Sequence, residues 1–527
     1  MIVNSRAEEM ITEQAREVGA ATIDNSIILP GGGVSIQATA TELFRRIAPT
    51  KTLFMRGGAV VGIFETRDRL ELEVTSPAAA RSRFESYATF WAYRKAGDQQ
   101  VLKPTVIPQE MATALLESEA ARQFLPKITG LINCPIIVGR DDQELVEIVG
   151  QGFHPGTGLF ITGGELPENI EPQEAGKALK EMVSEFDFQS PGDRSRALAL
   201  FITPALKLGG HLLGNVPVDV AEADKSQSGK TFRQKIVAAI YNEKPSLVTS
   251  RSGGVGSVDE SLNQQLIAGH PFIQLDNFRG RLDSPHIEAL LTAEKSFPVR
   301  VPHCREVMID PSGFIVMLTS NGVETTRDFA NRSSIVRIRK RVGHAFRQYP
   351  EGDLLQHIRA NQSYYLGVVF AIVREWIRRG RPRSQETRHD FREWCQTLDW
   401  IIQDILGEAP LMDGHEPAQE RVSDPALTFL RKLTLAVAEQ GRTGESLPAS
   451  VLFEIAEAAE VPIPGLREPD EGKGKRAIGT VMARLFKTTD TLELEGFRVT
   501  RRETEASRGG EGGNYIAKTY LFTRLTP

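Results

Sequence analysis

The sequence predicts a multidomain α/β protein with a central parallel sheet. A mixed α/β domain precedes the sheet, and a helical segment and a C-terminal winged helix follow it. Three observations predict this. Between residues 172 and 321, short apolar runs alternate with helical stretches, which implies a parallel sheet covered on both faces. A Gly229-Lys230-Thr231 triplet stands between a strand and a helix of that series, and a later apolar run, Pro271 to Leu275, ends at Asp276. The C-terminal block reads as three helices and a β-hairpin.

A length of 527 residues favours several domains, and 40% hydrophobic with 25% charged residues gives them sizeable cores. A formal net charge of −5 excludes histone-like binding of polyanions but leaves room for a local basic channel. No stretch approaches the ~18 consecutive apolar residues of a membrane span. The first residues, Met1 to Glu9, lack the apolar core of a signal peptide. Cys134, Cys304 and Cys395 are odd in number and far apart, which argues against a disulfide framework or a zinc finger and suits a reducing cytoplasm, the expected location.

In chain order, residues 1–165 form the N-terminal α/β domain, an assembly or DNA-guiding unit, with helices expected over Glu8 to Val18, Ala38 to Ile47 and Gln109 to Glu119. Thr52 to Ile63 reads as two strands about the Gly57-Gly58 turn. No Asp-x-Asp pair follows a strand here, so metal-dependent nucleotidyl transfer has no visible site. Residues 166–345 form the central sheet domain, with strands at Val216 to Val220, Ser246 to Thr249, Pro271 to Asp276 and Gly313 to Thr319. Residues 346–410 are helical, and 411–424, rich in Pro, Gly, Asp and Glu, read as a linker. In residues 425–527, helices over Leu427 to Gln440, Ser446 to Ala459 and Arg476 to Phe486 precede a hairpin of Glu493 to Thr500 with Tyr515 to Phe522.

The chemistry follows from residue types at the expected strand ends. Asp224, Ser226, Gln227, Ser228 and Gly229 form a loop whose backbone N–H groups can cradle the phosphates of ATP. Lys230 reaches the β- and γ-phosphates, Thr231 ligates Mg²⁺, and Asp276 holds that Mg²⁺ directly or through water. Asp224 replaces the usual first glycine of such a loop, which bears on its turn geometry. Asn321, after the fourth strand, can orient the attacking water, though Asn is also a common turn residue. Asn277 stands where a glutamate base is often found, and an amide cannot take the proton, so the base is unassigned. Arg332 is the candidate arginine finger for a neighbouring subunit, with Arg327 second; alone, either is a solvated charge. Phe297 to Gly313 reads as a hairpin, whose Lys295, Arg300, His303 and Arg305 can contact a phosphate backbone or simply line a solvated loop. Lys475 and Arg476 on the last helix and Arg498 on the wing are duplex contacts if the winged helix reads DNA, the other use of such domains being protein contact.

The order Ser228-Gly229-Lys230-Thr231, Leu275-Asp276-Asn277-Phe278, Thr319-Ser320-Asn321 and Asp328-Phe329-Ala330-Asn331-Arg332 resembles AAA+ replicative helicase-like ATPases of phages, plasmids and other mobile elements, related to the superfamily III and minichromosome-maintenance-like helicases. Leu53 to Gly58, Leu125 to Ile128, Gly152 to Leu159 and Pro191 to Arg194 are similar to the N-terminal half of that group, and Glu495 to Arg501 with Tyr520 to Phe522 to its winged-helix tail. The resemblance implies an AAA+ P-loop NTPase core and a homo-oligomeric ring, hexameric in expectation. It also implies ATP-driven translocation on single-stranded DNA, beside a separately encoded primase. An ATP-switched initiator or helicase loader is the alternative. Asp224, and Asn331 where an arginine often precedes the finger, depart from the pattern.

Overall fold

The computed structural model describes residues 25–67, 69–96, 99–139, 146–223, 228–249, 257–278, 281–282, 284–300, 306–320, 323–340, 347–466, 471–487, 489–494, 496–508 and 512–525. The helix expected over Glu8 to Val18 lies outside them. The chain forms two compact units: residues 1–278, 284–321 and 332–413, and residues 279–283, 322–331 and 414–527.

The first unit begins with β1 (Ser26–Ile28), α1 (Ile36–Ile47), β2 (Leu53–Arg56), β3 (Ala59–Glu65), β4 (Leu70–Val74), α2 (Pro77–Glu85), β5 (Thr89–Ala96), β6 (Gln99–Pro104), α3 (Gln109–Leu116) and α4 (Glu119–Phe124). Strands β2, β3 and β4 form an antiparallel meander, and β1, β5 and β6 a second small sheet. The β2–β3 turn is made by Gly57 and Gly58, both at positive φ. A Cβ on Gly57 would lie 1.9 Å from the carbonyl oxygen of Met308, so only glycine allows the contact in which Gly57 O accepts from Met308 N at 3.2 Å. Five short strands, β7 (Gly130–Ile132), β8 (Ile136–Gly139), β9 (Val146–Val149), β10 (Gly152–His154) and β11 (Leu159–Ile161), lead into the central sheet.

That part comprises α5 (Pro172–Met182), β12 (Asp187–Phe188), α6 (Pro191–Leu208), β13 (Val218–Glu222), α7 (Lys230–Ile240), β14 (Ser246–Val248), α8 (Val258–Ala268), β15 (Phe272–Phe278), β16 (Arg281–Leu282, in the second unit), α9 (Pro285–Thr292), β17 (Phe297–Val299), β18 (Val307–Ile309) and β19 (Ile315–Ser320). After β20 (Glu324–Thr325) and α10 (Arg327–Asn331), both in the second unit, come β21 (Ser333–Arg339), α11 (Leu354–Ala360), α12 (Gln362–Arg378) and α13 (Arg392–Trp400). The central sheet has the order β12-β21-β13-β19-β15-β14, parallel except for β12. Strand β19 therefore lies between β13 and β15. Helix α6 is buried nearly all round, and the hydroxyl of Tyr241 answers the break that Pro204 makes in it, donating to Phe201 O at 2.6 Å and accepting from Ala205 N at 3.0 Å. Arg196 on the same helix is sealed inside, donating to Asp193, Ile335 O, Leu411 O and Asp413 O at 2.7–2.9 Å.

In the second unit, α14 (His415–Ser423) forms where composition read as linker. His415, Ala418 and Val422 give it one buried face, and Pro417 sits in the first turn, where a missing N–H does no harm. Helices α15 (Pro425–Glu439), α16 (Ala449–Ala458) and α17 (Glu471–Leu485) share an apolar core with an antiparallel sheet in the order β22-β25-β24-β23. Its strands are β22 (Ser446–Pro448), β23 (Thr491–Leu494), β24 (Phe497–Arg508) and β25 (Gly512–Arg524). The stretch Glu493 to Thr500 is thus two strands rather than one, because Gly496 at φ 74 reverses the chain and pairs Leu494 with Phe497.

A buried histidine, His389, and a half-buried one, His211, set a pH dependence. Burial outweighs the Ser333 carbonyl and holds His389 down to about 4, and burial outweighs the Ile137 carbonyl and holds His211 down to about 4. Both are neutral in the folded chain but protonate near 6.5 when unfolded, so the unfolded chain binds more protons between those values and stability falls as pH drops through that window. From pH 7 to 5 each histidine is expected to remove about 2 kcal/mol. Urea unfolding of the wild type and of His389→Gln checks this: the variant should show a shallower loss, and an identical slope would assign the pH dependence to other groups.

Candidate functional site

Strand β13 is buried along its whole length and delivers the chain toward the loop whose residues Asp224, Ser226 and Gln227 lie outside the described residues. The loop ends at Ser228 and Gly229. Gly229 has φ 91, a left-handed conformation that glycine adopts without strain, and it precedes α7 with no side chain capping the helix. The residue at the cap position is a glycine and gives the helix no side-chain cap, and the helix dipole adds a partial positive charge there, which suits a phosphate. Lys230 opens the helix, 9% exposed, with its Nζ 3.5 Å from Ser228 Oγ.

Thr231, the next residue, donates from Oγ1 to Asp276 Oδ1 at 2.8 Å. Asp276 lies at a bulge near the end of β15, where the register with β19 shifts between Leu275 and Phe278. Asn277 completes the bulge at φ 51, in the left-handed region that Asn tolerates better than most residues. Thr319 of β19, 1% exposed, clamps both residues: its Oγ1 donates to Asp276 Oδ1 at 2.7 Å and accepts from Asn277 N at 2.7 Å. Two hydroxyls thus share Oδ1. A threonine hydroxyl whose proton is held by a carboxylate turns its lone pairs outward, as a hard divalent cation requires. Among the described residues no group of three His, Cys, Asp or Glu side chains converges. Among the described residues, Thr231 and Asp276 are the pair here that could hold such a cation, with the rest of its shell left to waters or ligand oxygens.

Behind the loop, a buried polar cluster fixes α7 to the sheet. Asp219 of β13 forms an ion pair with Arg233. Gln234 donates to Asp219 Oδ2 at 2.7 Å and to Leu318 O at 3.1 Å, and accepts from Gln274 Nε2 at 2.8 Å. All four side chains are at most 2% exposed. Sequence reasoning passed over this cluster and did not single out Thr319; the available signals were a charge within the apolar run Val216 to Ala221 and two polar residues on the buried side of a helix.

The structure brings together Ser228, Gly229, Lys230, Thr231, Asp276 and Asn277, while Asn321 lies outside the described residues. Arg332 directly precedes β21, and its carbonyl accepts from Val218 N at 3.1 Å, so it stands at the edge where β13 starts. The segment that leads to Gly229 leaves the other end of β13, about 16 Å away along the strand. Residues Phe297–Val299 and Val307–Ile309 pair as an antiparallel hairpin. Lys295 and Arg300 beside it are exposed, Arg300 facing Glu306 at 3.4 Å, while His303 and Arg305 lie outside the described residues. In the second unit Arg476 is exposed, Lys475 is half-buried on α17, and Arg498 pairs with Glu493 at 2.7 Å. No helix among the described residues is long and apolar enough to cross a membrane.

No family model matches the sequence, and no curated protein matches it. Among solved structures, the chain is similar to one described as "SCCmec type IV Cch - active helicase", at 10% sequence identity and a TM-score of 0.31, over 88% of this chain and 90% of that one.

The clamp gives a direct expectation. Thr319→Val keeps the shape of the side chain but removes both hydrogen bonds, so the Mg²⁺ concentration for half-maximal nucleotide-dependent thermal stabilisation should rise about tenfold. Thr319→Ser should stay near wild type. An unchanged Mg²⁺ requirement in Thr319→Val would remove the clamp from metal binding.

Proposed function

We propose that the protein is an ATP-hydrolysing motor of the AAA+ type that works as a homo-oligomeric ring, hexameric in expectation, and moves on or unwinds DNA. One observation carries the reading: Thr231 and Asp276 hydrogen-bond at 2.8 Å although β13, which feeds the helix of Thr231, and β15, which carries Asp276, are separated by β19. A hydroxyl and a carboxylate brought together at a helix start without a side-chain cap suit a divalent cation bound with a nucleoside triphosphate, which the resemblance makes ATP.

In this reading Lys230 neutralises the β- and γ-phosphates and Thr231 gives its oxygen lone pairs to Mg²⁺. Asp276, with Oδ1 committed to two hydroxyls, acts on the metal through Oδ2 or an intervening water. Asn321 aligns the attacking water. Arg332 lies at the far edge of its own sheet, which supports its use on a neighbour's γ-phosphate and hence a ring. The hairpin of β17 and β18 directly precedes β19, which suits it to contact a DNA strand with Lys295 and Arg300. The three helices and antiparallel sheet of the second unit are taken as a winged helix. A separately encoded primase is the partner that the family resemblance implies.

Asn277 favours a second reading, an ATP-switched initiator or helicase loader, because an amide in the bulge cannot act as the base. Strand displacement on a forked duplex separates the two: the motor unwinds with ATP and Lys230→Ala does not, whereas the loader binds DNA with ATP and displaces nothing. Arg332→Ala should lower single-strand-stimulated ATP turnover at least a hundredfold while nucleotide affinity changes less than about threefold. Equal loss of both would remove Arg332 from the trans role. Light scattering with ATP and DNA should find an oligomer, and a monomer throughout would overturn the ring.

A further inference from the structure

Arg332 is the residue directly after α10, so whatever holds α10 decides where that arginine starts. Helix α10 has five residues, Arg327–Asn331, too few to keep its shape alone, and its place is set by what it packs on. Phe329 and Ala330 are buried, 2% and 1% exposed, while Arg327 and Asp328 are exposed. The helix it packs against is α14, in the same unit. This is the stretch whose composition reads as a linker.

On α14, His415, Ala418, Gln419 and Val422 are spaced at i, i+3, i+4 and i+7, which puts them on one stripe. His415, Ala418 and Val422 are at most 4% exposed. Gln419, half-buried, is the amide on this stripe, and its Nε2 donates to Ala330 O at 3.1 Å. That carbonyl belongs to the last turn of α10, where the helix has no donor of its own to offer. Gln419 thus answers the end of α10 from which Arg332 departs. At its other end α14 is joined to α15 through one residue, Asp424, which accepts from Leu427 N at 3.0 Å. Glu420 of α14 also pairs with Arg431 of α15.

We propose that α14 positions the arginine finger, with Gln419 as its positioning residue. Gln419 and the apolar stripe fix α10, and α10 fixes the direction in which Arg332 leaves toward the γ-phosphate of the neighbouring subunit. The inference rests on the trans reading of Arg332 given above and names what controls it. A finger acts only when its guanidinium is well placed, and a displacement of about 1 Å costs about a hundredfold in rate. The main chain of Arg332 is held on one side, where its carbonyl accepts from Val218 N at 3.1 Å. The other side is the peptide bond to α10. An apolar residue at position 419 would fill the space but leave the carbonyl of Ala330 unanswered, and with it the register of α10 on α14. A change at Gln419 therefore acts on the neighbour's turnover and spares the nucleotide site of its own subunit.

Gln419→Glu keeps the size of the side chain but sets a carboxylate, which only accepts, against a carbonyl that also only accepts. In the full-length protein with single-stranded DNA it should lower kcat for ATP about tenfold or more and change ATP affinity less than about threefold. Glu416→Gln, at an exposed position of the same helix, should stay within about twofold of wild type. Rings co-expressed from Gln419→Glu and Lys230→Ala chains separate positioning from folding. The first chain brings intact nucleotide sites and the second brings well-placed fingers, so the mixed rings should turn over ATP faster than either variant alone. A folding defect is not repaired this way. Arg332→Ala with Lys230→Ala is the reference mixture. A gain in the reference but none with Gln419→Glu, or wild-type kcat in Gln419→Glu alone, overturns the inference and leaves the finger reading standing. If neither mixture gains, the trans reading falls and the inference with it.

Discussion

A threonine on a helix and an aspartate on a strand meet across a strand to which neither belongs. Thr231 is carried by α7, which β13 feeds, and Asp276 by β15, with β19 between the two. A hydrogen bond of 2.8 Å between them holds only if the register of three parallel strands and the seat of one helix are all correct at once. A slip of one residue in any strand would turn its side chains to the other face. The polar cluster under the loop is where that register is fixed. Asp219, Met317 and Gln274 stand in one row across the sheet, and Gln234 reaches from α7 to Asp219, to Gln274 and to the backbone of β19. One amide thus touches all three strands. Another register would part Asp219 from Arg233 and leave buried charges unpaired, so it is disfavoured by more than lost packing.

The same arrangement explains how an open helix start is tolerated. Several helices here receive a side-chain cap, such as Ser190 before α6 or Ser257 before α8. At α7 the preceding residue is Gly229 and no cap is present. The missing side-chain cap would normally weaken the first turn by about 1 kcal/mol. The ion pair and amide contacts of Arg233 and Gln234 hold the first turn from behind, so its end can stay open to an anion.

What the sequence made legible was local. The Gly229-Lys230-Thr231 triplet, the apolar run ending at Asp276, the two-glycine turn at Gly57 and the hairpin ahead of β19 each declare themselves within a dozen residues or so, through turn chemistry and period. Thr319, Asp219, Arg233, Gln234 and Gln274 did not, because each is an ordinary polar residue until the sheet order brings it against a partner; Thr319 and Asp276 are 43 positions apart. The misread segments have smaller causes. In α14 the polar composition hid a buried face repeating at three and four. At Gly496 a single positive φ turned one expected strand into two. Arg332 shows a third kind of limit: the residue was visible, but its place at the start edge of the sheet, away from its own loop, depends on the pairing of β21 with β13.

Asn277 gains a physical cause from this. Its backbone N–H is held by the Thr319 hydroxyl that also donates to Asp276, and the chain bulges there with φ 51. A residue in that conformation pays roughly 1–2 kcal/mol unless it is Gly, or Asn with a short polar side chain. A glutamate at this position would meet that strain, and an asparagine largely avoids it. The geometry that presents the carboxylate of Asp276 and the presence of an amide at position 277 are therefore linked: one hydroxyl sets both. In the proposed ATPase such a site would hold Asp276 firmly and leave proton removal to solvent or to another side chain, so that positioning of the water would carry more of the reaction than its deprotonation.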